Sequence, residues 1–349
     1  MTMTNQFLTL VLAVLSIVVA VSASTTHTTS SSSSSSDNST SNSIPTPTIT
    51  IGKDRNGVAV QMPLLGAGTW QYNDTTAYQS VCRAVEAGYT LIDTAYGYQN
   101  QVGVGLALND CWFGSATATA AVRDDLFVLT KVPGGLSYEA TMAAHYQNLW
   151  ELQLDYTDHL MVHFPSDWQQ HNTGKHQRQE QWRALEQLYQ LGKTRSIGIS
   201  HYCSQHIDDI LEIATIRPTL NQVEYHVGSH DVDDVIQKCT RENIYFMSFS
   251  PLCGPCQYQP EDSLVNGNLV QDIASHYPNK TGAQVALRFI VQQALEGRVT
   301  MAGVIPKSNN PKHIATNQDI FDFTLTQEDM QRLEDAVKPP GEPGDCNVP

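Results

Sequence analysis

Basic residues are scarce in this chain. Lys and Arg number 20 against 35 Asp and Glu, a formal net charge of −15 over 349 residues. An acidic protein without basic runs is a poor partner for phosphate backbones, so nucleic acid and anionic membrane surfaces are set aside. Cysteine is sparse as well. Seven residues (Cys82, Cys111, Cys203, Cys239, Cys253, Cys256 and Cys346) are too few at this length for a disulfide framework to stand in for a core. No Gly-x-Gly-x-x-Gly follows any strand-like run, which removes the fingerprint of a doubly wound dinucleotide-binding sheet. No set of metal ligands is assigned.

What is present begins with a change of material. Phe7 to Ala23 is apolar and uncharged, and Val21-Ser22-Ala23 fits a signal-peptidase site. Residues 1–23 therefore read as a signal peptide, although Lys and Arg are missing from the n-region. The competing reading is an uncleaved anchor, for which the run lies at the short edge of the ~17–25 residues a span needs. Residues 24–46 are rich in Ser and Thr and cannot bury apolar surface, so they are expected to be a disordered linker. Residues 47–349 form the folded domain, with no membrane contact after the leader is removed. Three sequons, at Asn38, Asn73 and Asn279, matter if the chain enters the secretory route.

The folded domain opens with a hairpin pattern, Thr48 to Gly52 and Val58 to Met62 about an Asn56-Gly57 turn. Eight short apolar strand candidates follow: 64–68, 90–95, 126–132, 159–164, 196–200, 220–225, 244–250 and 301–306. Amphipathic helix candidates lie between them, including 76–87, 138–152, 179–191, 205–214, 232–242 and 282–295. In the second, Tyr138, Met142, Leu149 and Leu152 fall at helical spacing and are expected to form its core face. The last opens with a capping box, Thr281 to Gln284. Eight strand–helix units in roughly 250–280 residues is the arithmetic of a (β/α)8 barrel, with the hairpin expected across its bottom.

A barrel carries its chemistry at the C-terminal ends of its strands. Read in order, those ends offer Asp93, Lys131, His163, Ser200, Gln222, Phe249 and Lys307. Singly, each has an ordinary structural use: an Asp caps a helix, a Lys snorkels from a rim, a His is satisfied in a core. Three titratable residues at successive equivalent positions point instead to a site. Tyr98 lies five residues beyond Asp93. A lysine beside a buried phenol is expected to stabilise its phenolate and lower its pKa, and a carboxylate beside the lysine holds it charged. The phenol then gives a proton to a developing alkoxide, oriented by the histidine. Such machinery suits carbonyl reduction, with the hydride drawn from a cofactor.

The motifs that carry these residues resemble the aldo-keto reductases across Ile49 to Val337. They are Gly66-Ala-Gly-Thr-Trp70, Ile92-Asp-Thr-Ala-Tyr-Gly-Tyr-Gln-Asn100, Leu129-Thr-Lys131, Leu152-Gln-Leu-Asp-Tyr-Thr-Asp158 and Val162-His-Phe-Pro165. Gly192-Lys-Thr-Arg-Ser-Ile-Gly-Ile-Ser200, Asn221-Gln-Val-Glu-Tyr-His226, Ser248-Phe-Ser-Pro-Leu252 and Val304-Ile-Pro-Lys-Ser308 follow in the same order. The short tail is similar to that of microbial and plant-type members that reduce small aldehydes and keto compounds.

The resemblance implies a catalytic tetrad of Asp93, Tyr98, Lys131 and His163, and a small carbonyl substrate. It implies NADPH across the barrel mouth, with NADH as a second candidate. Phe249 would stack on the nicotinamide, and Ser200, His201 and Gln222 would hold its carboxamide. Lys307, Ser308 and His313 would meet the 2′-phosphate and Asn317 the adenine, with Thr69, Ser250 and Leu252 completing the cofactor site. Trp70 and Phe164 would line the substrate pocket.

The chain departs from the family pattern in three places. His201 stands for the family's Asn, and His313 for an Arg. A neutral histidine holds phosphate less well than an ever-charged guanidinium, so the preference for NADPH over NADH is expected to be weaker and to strengthen as pH falls. Cys253-Gly-Pro-Cys256 is the thioredoxin tetrapeptide set in another fold's loop, read either as an ordinary turn or as a reversible disulfide. Two other functions stay open at this stage: a cofactor-binding sensor with weak catalysis, and a thiol–disulfide protein acting through Cys253 and Cys256. A monomer in the secretory pathway is the expected state. The endoplasmic reticulum lumen, a plastid behind a signal peptide and the exterior all remain as destinations.

Overall fold

A computed structural model gives the fold and describes residues 45–114, 122–167, 172–254, 259–337 and 346. The leader, most of the linker, the Asn38 sequon and Cys256 lie outside the described residues. Among the described residues no helix is long and apolar enough to cross a membrane.

Strands β1 (Thr48–Lys53) and β2 (Ala59–Pro63) pair antiparallel as the expected hairpin. Its turn is held by the Asp54 carboxylate, which accepts from the backbone of Asn56 and Val58, and Gly57 supplies a φ of 82°. Eight parallel strands follow in chain order: β3 (Ala67–Gly68), β4 (Leu91–Asp93), β5 (Phe127–Val132), β6 (His159–Val162), β7 (Ile197–Ser200), β8 (Leu220–Glu224), β9 (Tyr245–Phe249) and β10 (Met301–Val304). Leu65 bridges Val304 in parallel, and the Gly66 and Gly68 N–H groups donate to Val304 and Pro306. These bonds join the last strand to the first and close the barrel. Gly303 sits at this seam with a φ of 122°, where a Cβ would collide with the Leu64 backbone.

Among the described residues ten α-helices cover the outside: α1 (Asp74–Glu86), α2 (Gln101–Ala107), α3 (Tyr138–Leu152), α4 (Lys175–Gln190), α5 (Ser204–Leu211), α6 (Val235–Arg241), α7 (Asn268–Ala274), α8 (Gly282–Leu295), α9 (Pro311–Gln318) and α10 (Gln327–Glu334). The Thr281–Gln284 capping box opens α8 as expected. Helix α2 breaks the propensity rules. Its Gly103 and Gly105 leave no side chain between it and its neighbours, so its backbone lies directly on Asp74 and Glu151. Helix α3 has the expected bounds but a different face. Thr141, Ala144, His145, Asn148, Leu149 and Leu152 are buried, whereas Tyr138 and Met142 are only partly covered.

The period of two along each strand sorts the core into two layers. Outward-facing Leu160, Val162, Ile197 and Ile199 pack under the helices with Trp182, Leu185 and Leu188 of α4. Inward-facing Leu91, Phe127, Leu129, Met161, Leu220, Met247 and Ala302 fill the barrel, and Ile51, Val60 and Met62 of the hairpin plug its N-terminal end. The reading of a hairpin across the bottom of a (β/α)8 barrel therefore holds. Two disulfides with both ends among the described residues tie the outer layer: Cys82 to Cys111, across α1 and a wide turn at Leu108–Phe113, and Cys203 to Cys346. Sequence spacing gave neither pairing.

Two buried histidines are kept neutral. His145 Nε2 donates to the Lys193 carbonyl at 2.9 Å, and its Nδ1 is buried without a partner. His159 Nδ1 meets Ser196 Oγ at 2.7 Å, and its Nε2 is likewise unpartnered. Burial pushes their pKa values down to about 4 and about 3. Unfolded, both take a proton near about 6.5; folded, they refuse it until far lower pH. Their contribution to stability is complete above that value and falls as pH drops below it, by about 1.4 kcal/mol per unit for each group. Thermal melts from pH 8 to pH 4.5 are expected to show a falling Tm below pH 6.5, flattened in His145→Gln/His159→Gln. A Tm of wild type that stays level across that range contradicts this reading.

Candidate active site

The same two-residue period that fills the barrel builds its mouth. Leu91 is followed inward by Asp93, Leu129 by Lys131, Met161 by His163, Gly198 by Ser200, Leu220 by Gln222, and Met247 by Phe249. Apolar residues thus form the floor, and the next inward position on each of these six strands carries a polar or aromatic group. Tyr98 arrives differently, from a single 3-10 turn, Tyr96–Tyr98, just after β4.

Lys131 lies fully buried at the centre. Its Nζ is 2.8 Å from each carboxylate oxygen of Asp93, 3.1 Å from the Thr94 carbonyl and 3.2 Å from the Tyr98 hydroxyl. The Gln222 amide donates to Asp93 Oδ2 at 2.9 Å, and Thr69 Oγ1 donates to the Asp93 carbonyl at 2.9 Å. The ring of His163 stands edge-on to Tyr98, centroids 5.5 Å apart. All four residues of the expected tetrad therefore converge.

One expectation is corrected. Lysine was expected to lower the Tyr98 pKa, but burial, reinforced by the Asp93 carboxylate, holds it well above the ordinary tyrosine value. The physical reason is that Asp93 binds the ammonium through both oxygens, so the phenol faces a nearly neutral pair rather than a free cation. Burial likewise lowers the Lys131 pKa, opposed by Asp93. Burial, with Lys131 and His201 adding to it, holds His163 well below the ordinary histidine value, hence neutral. The site offers a protonated phenol, a neutral imidazole and a compensated lysine.

The rings form a ladder along the mouth. His163 stacks on Phe164 at 4.5 Å, Phe164 meets His201 at 4.4 Å, and His201 meets Phe249 at 4.7 Å. His201 takes the left-handed backbone conformation (φ 60°). Its Nδ1 lies 3.1 Å from the His163 carbonyl and 2.9 Å from Ser200 Oγ, which itself donates to the Gln222 carbonyl. A carbonyl only accepts, so Nδ1 carries the proton; burial lowers the pKa to about 4, leaving Nε2 an acceptor.

The residues expected at the phosphate end sit on the opposite rim. Lys307 is exposed, reaches Gln71 Oε1 at 3.1 Å and lies over the rings of Trp70 and Tyr72 at 5.7 and 5.1 Å. Ser308 accepts from Ser80 Oγ through its carbonyl, His313 is exposed on α9, and Asn317 is buried on the same helix. Ser250 has a φ of 48°, Leu252 is partly buried, and Trp70 is 47% exposed. Cys253 is fully buried and already disulfide-bonded, its partner outside the described residues. Of the two readings of this loop, an ordinary turn or a disulfide, the bonded sulfur matches the second, while its burial shields it from the attacking thiolate that exchange requires. Cys203, Asp233 and Cys346 cluster closely, but the two sulfurs are joined to each other, so they hold no metal.

Sequence reading missed the shell that holds the lysine strand. Asn148 donates to the Lys131 carbonyl at 3.3 Å, Gln101 donates to Asn148 at 2.7 Å, and Thr130 donates to Gln101 at 2.6 Å. Asn100 donates to the carbonyls of Thr69 and Tyr72, fixing the first rim loop. Asn100 and Thr130 fell within motifs, whereas Gln101 and Asn148 carried no signal.

Comparison with known proteins agrees with this arrangement. Residues 64–338 match the model of the aldo/keto reductase family. A glyoxal reductase of Bacillus subtilis is 36% identical over 279 residues, 79% of this chain and 89% of that protein. A methylglyoxal reductase of Yersinia pestis is 33% identical over 269 residues, 77% of this chain and 87% of that protein. Among solved structures, an aldo-keto reductase from a Medee basin deep-sea metagenome library superposes with a TM-score of 0.68 at 34% identity, covering 80% of this chain and 93% of the other. An aldo-keto reductase of Bombyx mori, solved in complex with NADP, gives 0.69 at 27% identity, covering 83% and 92%. With the barrel, the closed seam and the converged side chains described, the chain belongs to the aldo/keto reductase family.

Proposed function

We propose that this protein reduces an aldehyde or ketone to its alcohol with NADPH, Tyr98 giving the proton. The observation that carries the reading is the Tyr98 hydroxyl, partly buried and 3.2 Å from a lysine ammonium that Asp93 grips through both oxygens.

The mouth fits a nicotinamide dinucleotide by the chemistry of its side chains. Ser200, His201 and Gln222 present hydroxyl, imidazole and amide to a carboxamide, Phe249 presents a ring, and Lys307 is a cation for phosphate, with Ser308 beside it. When bound, the cofactor supplies the hydride. The remaining work belongs to this chain. His163, neutral, donates a hydrogen bond to the carbonyl oxygen and orients it. Tyr98 transfers its proton as negative charge builds on that oxygen. Phenolate charge then develops beside Lys131, where the ammonium is needed, and Asp93 prevents the lysine from straying. Because burial holds Tyr98 protonated, it is a donor at working pH without prior adjustment. Trp70 and Phe164 border the substrate. The names of the relatives, glyoxal and methylglyoxal reductase, favour a small dicarbonyl or aldehyde.

Tyr98→Phe is expected to lower kcat for methylglyoxal by about 10²- to 10⁴-fold while NADPH binding, read by fluorescence, stays within about twofold. Tight binding without turnover in wild type would favour a sensor instead. Lys131→Met leaves the Asp93 carboxylate buried and alone, at a cost of about 3–5 kcal/mol, so its melting should drop sharply. Lys131→Met/Asp93→Leu removes both charges and is expected to regain much of that stability but no activity. Recovery of turnover in the double variant would refute the role given to Lys131. For coenzyme choice, His313→Arg is expected to raise the ratio of kcat/KM with NADPH to that with NADH, because a guanidinium holds a phosphate bidentately. An unchanged ratio removes His313 from the phosphate site.

A further inference from the structure

We infer that Asn73, on the rim loop after β3, is an N-glycosylation site, and that its glycan screens the barrel mouth from bulky substrates. The second half rests on the reductase reading; the first does not.

Three independent observations meet at this residue. The sequence Asn73-Asp74-Thr75 is an acceptor tripeptide without proline, and all three side chains are exposed. Asn73 is the N-cap of α1, and it caps through Oδ1, which accepts from the Thr76 N–H at 2.9 Å. Glycosylation takes place at Nδ2, so the cap survives the modification. The fold itself carries the bonds of an oxidising compartment: Cys82–Cys111 links α1, the helix that Asn73 caps, to the turn after α2, and Cys203–Cys346 closes a second loop. Disulfides of this kind persist where thiols are not kept reduced, the same route that delivers the glycosylation machinery. The apolar leader expected from the sequence leads there too.

The chemistry balances as a group transfer. A bond forms between Asn73 Nδ2 and the anomeric carbon of an oligosaccharide carried on a lipid pyrophosphate. The anomeric C–O bond to the pyrophosphate breaks, the lipid pyrophosphate leaves, and Nδ2 gives up one proton. No oxidant or reductant enters.

Position supplies the consequence. Asn73 is three residues from Trp70, which is 47% exposed, and one from Tyr72. Asn100 pins this loop by binding the Thr69 and Tyr72 carbonyls at 2.8 and 2.9 Å, so a glycan on Asn73 starts from a fixed point on the rim. A small aldehyde passes beneath it; a substrate with a long or branched tail meets it. Asn279, the other sequon among the described residues, sits in an exposed turn before α8 and serves as an internal comparison.

The test uses the full chain secreted from a eukaryotic host, with peptide mapping before and after amidase removal of N-glycans. Expected is a hexose-bearing Asn73 peptide whose asparagine is converted to aspartate on deglycosylation. Thr75→Ala destroys the acceptor while keeping the Asn73 cap, so it should lack this glycan and melt like wild type after deglycosylation. An unmodified Asn73 in chains that carry the Cys82–Cys111 bond overturns the site, as do chains recovered with those cysteines reduced. For the screen, kcat/KM for methylglyoxal should be equal in glycosylated wild type and Thr75→Ala. For an aldehyde bearing a bulky aromatic tail it should rise at least fivefold in the variant. An equal ratio for both substrates overturns the screening role, whereas no turnover of either aldehyde by either protein, with Asn73 glycosylated, counts against the reductase reading alone.

Discussion

The structure depends on one ion pair placed where ion pairs are expensive. Lys131 and Asp93 are both buried at the top of the barrel core, with side chains 0% and 2% exposed. Removing such charges from water costs several kcal/mol each unless their remaining hydrogen-bonding capacity is met. Here it is met on every side. Asp93 takes the ammonium twice and the Gln222 amide once, and Lys131 reaches the Thr94 carbonyl and Tyr98 as well. Three strands and a tight turn must hold station together for that to work. The closed seam, the hairpin plug and the packed inner layer are what give them a fixed distance from one another.

The rim proposed to meet the cofactor is built on different terms. Asp93 and Lys131 are buried and tightly bonded, but Lys307 is exposed, and its contacts are a neutral amide and two aromatic faces. Such contacts yield readily to an anion, since phosphate offers a charge-assisted bond in their place. Between the two ends lies His201. The left-handed conformation there is one that Asn and His both adopt more readily than most residues, which explains how a histidine occupies a position the family gives to asparagine. Its ring adds a rung between Phe164 and Phe249 that an asparagine could not supply.

Much of this was legible in the sequence, for identifiable reasons. Strands buried on both faces are short apolar runs, and the inward period of two carries Asp93, Lys131 and His163 to one level whatever the loops do. Features that depend on two distant segments meeting were not legible. The pairing of Cys203 with Cys346 spans 143 residues, and no spacing rule reaches that far. Helix α2 hid because its glycines are chosen for close approach rather than for helix formation. The polar inner face of α3, with His145 and Asn148, defeated a reading based on apolar periodicity. The direction of the Tyr98 pKa shift was hidden too, because the sequence places a lysine nearby but does not show that its charge is already spent on Asp93. The leader and linker, and the domain boundary beside them, stand as sequence expectations.

The seam between Leu65 and Val304 sets the order in which this protein can come into being. Its two sides are separated by nearly the whole domain, so every other strand pair, formed between near neighbours, can assemble before this one. Until β10 has been synthesised, the segment at 64–68 is an open edge and the inner layer is a gutter of Leu, Met and Phe with no fourth wall. Non-local closures of this kind are slow, and the intermediate that precedes them is the aggregation-prone species. Closure of the barrel therefore waits for β10, and the N-terminal hairpin, packed against the inner layer, covers the other end of that gutter.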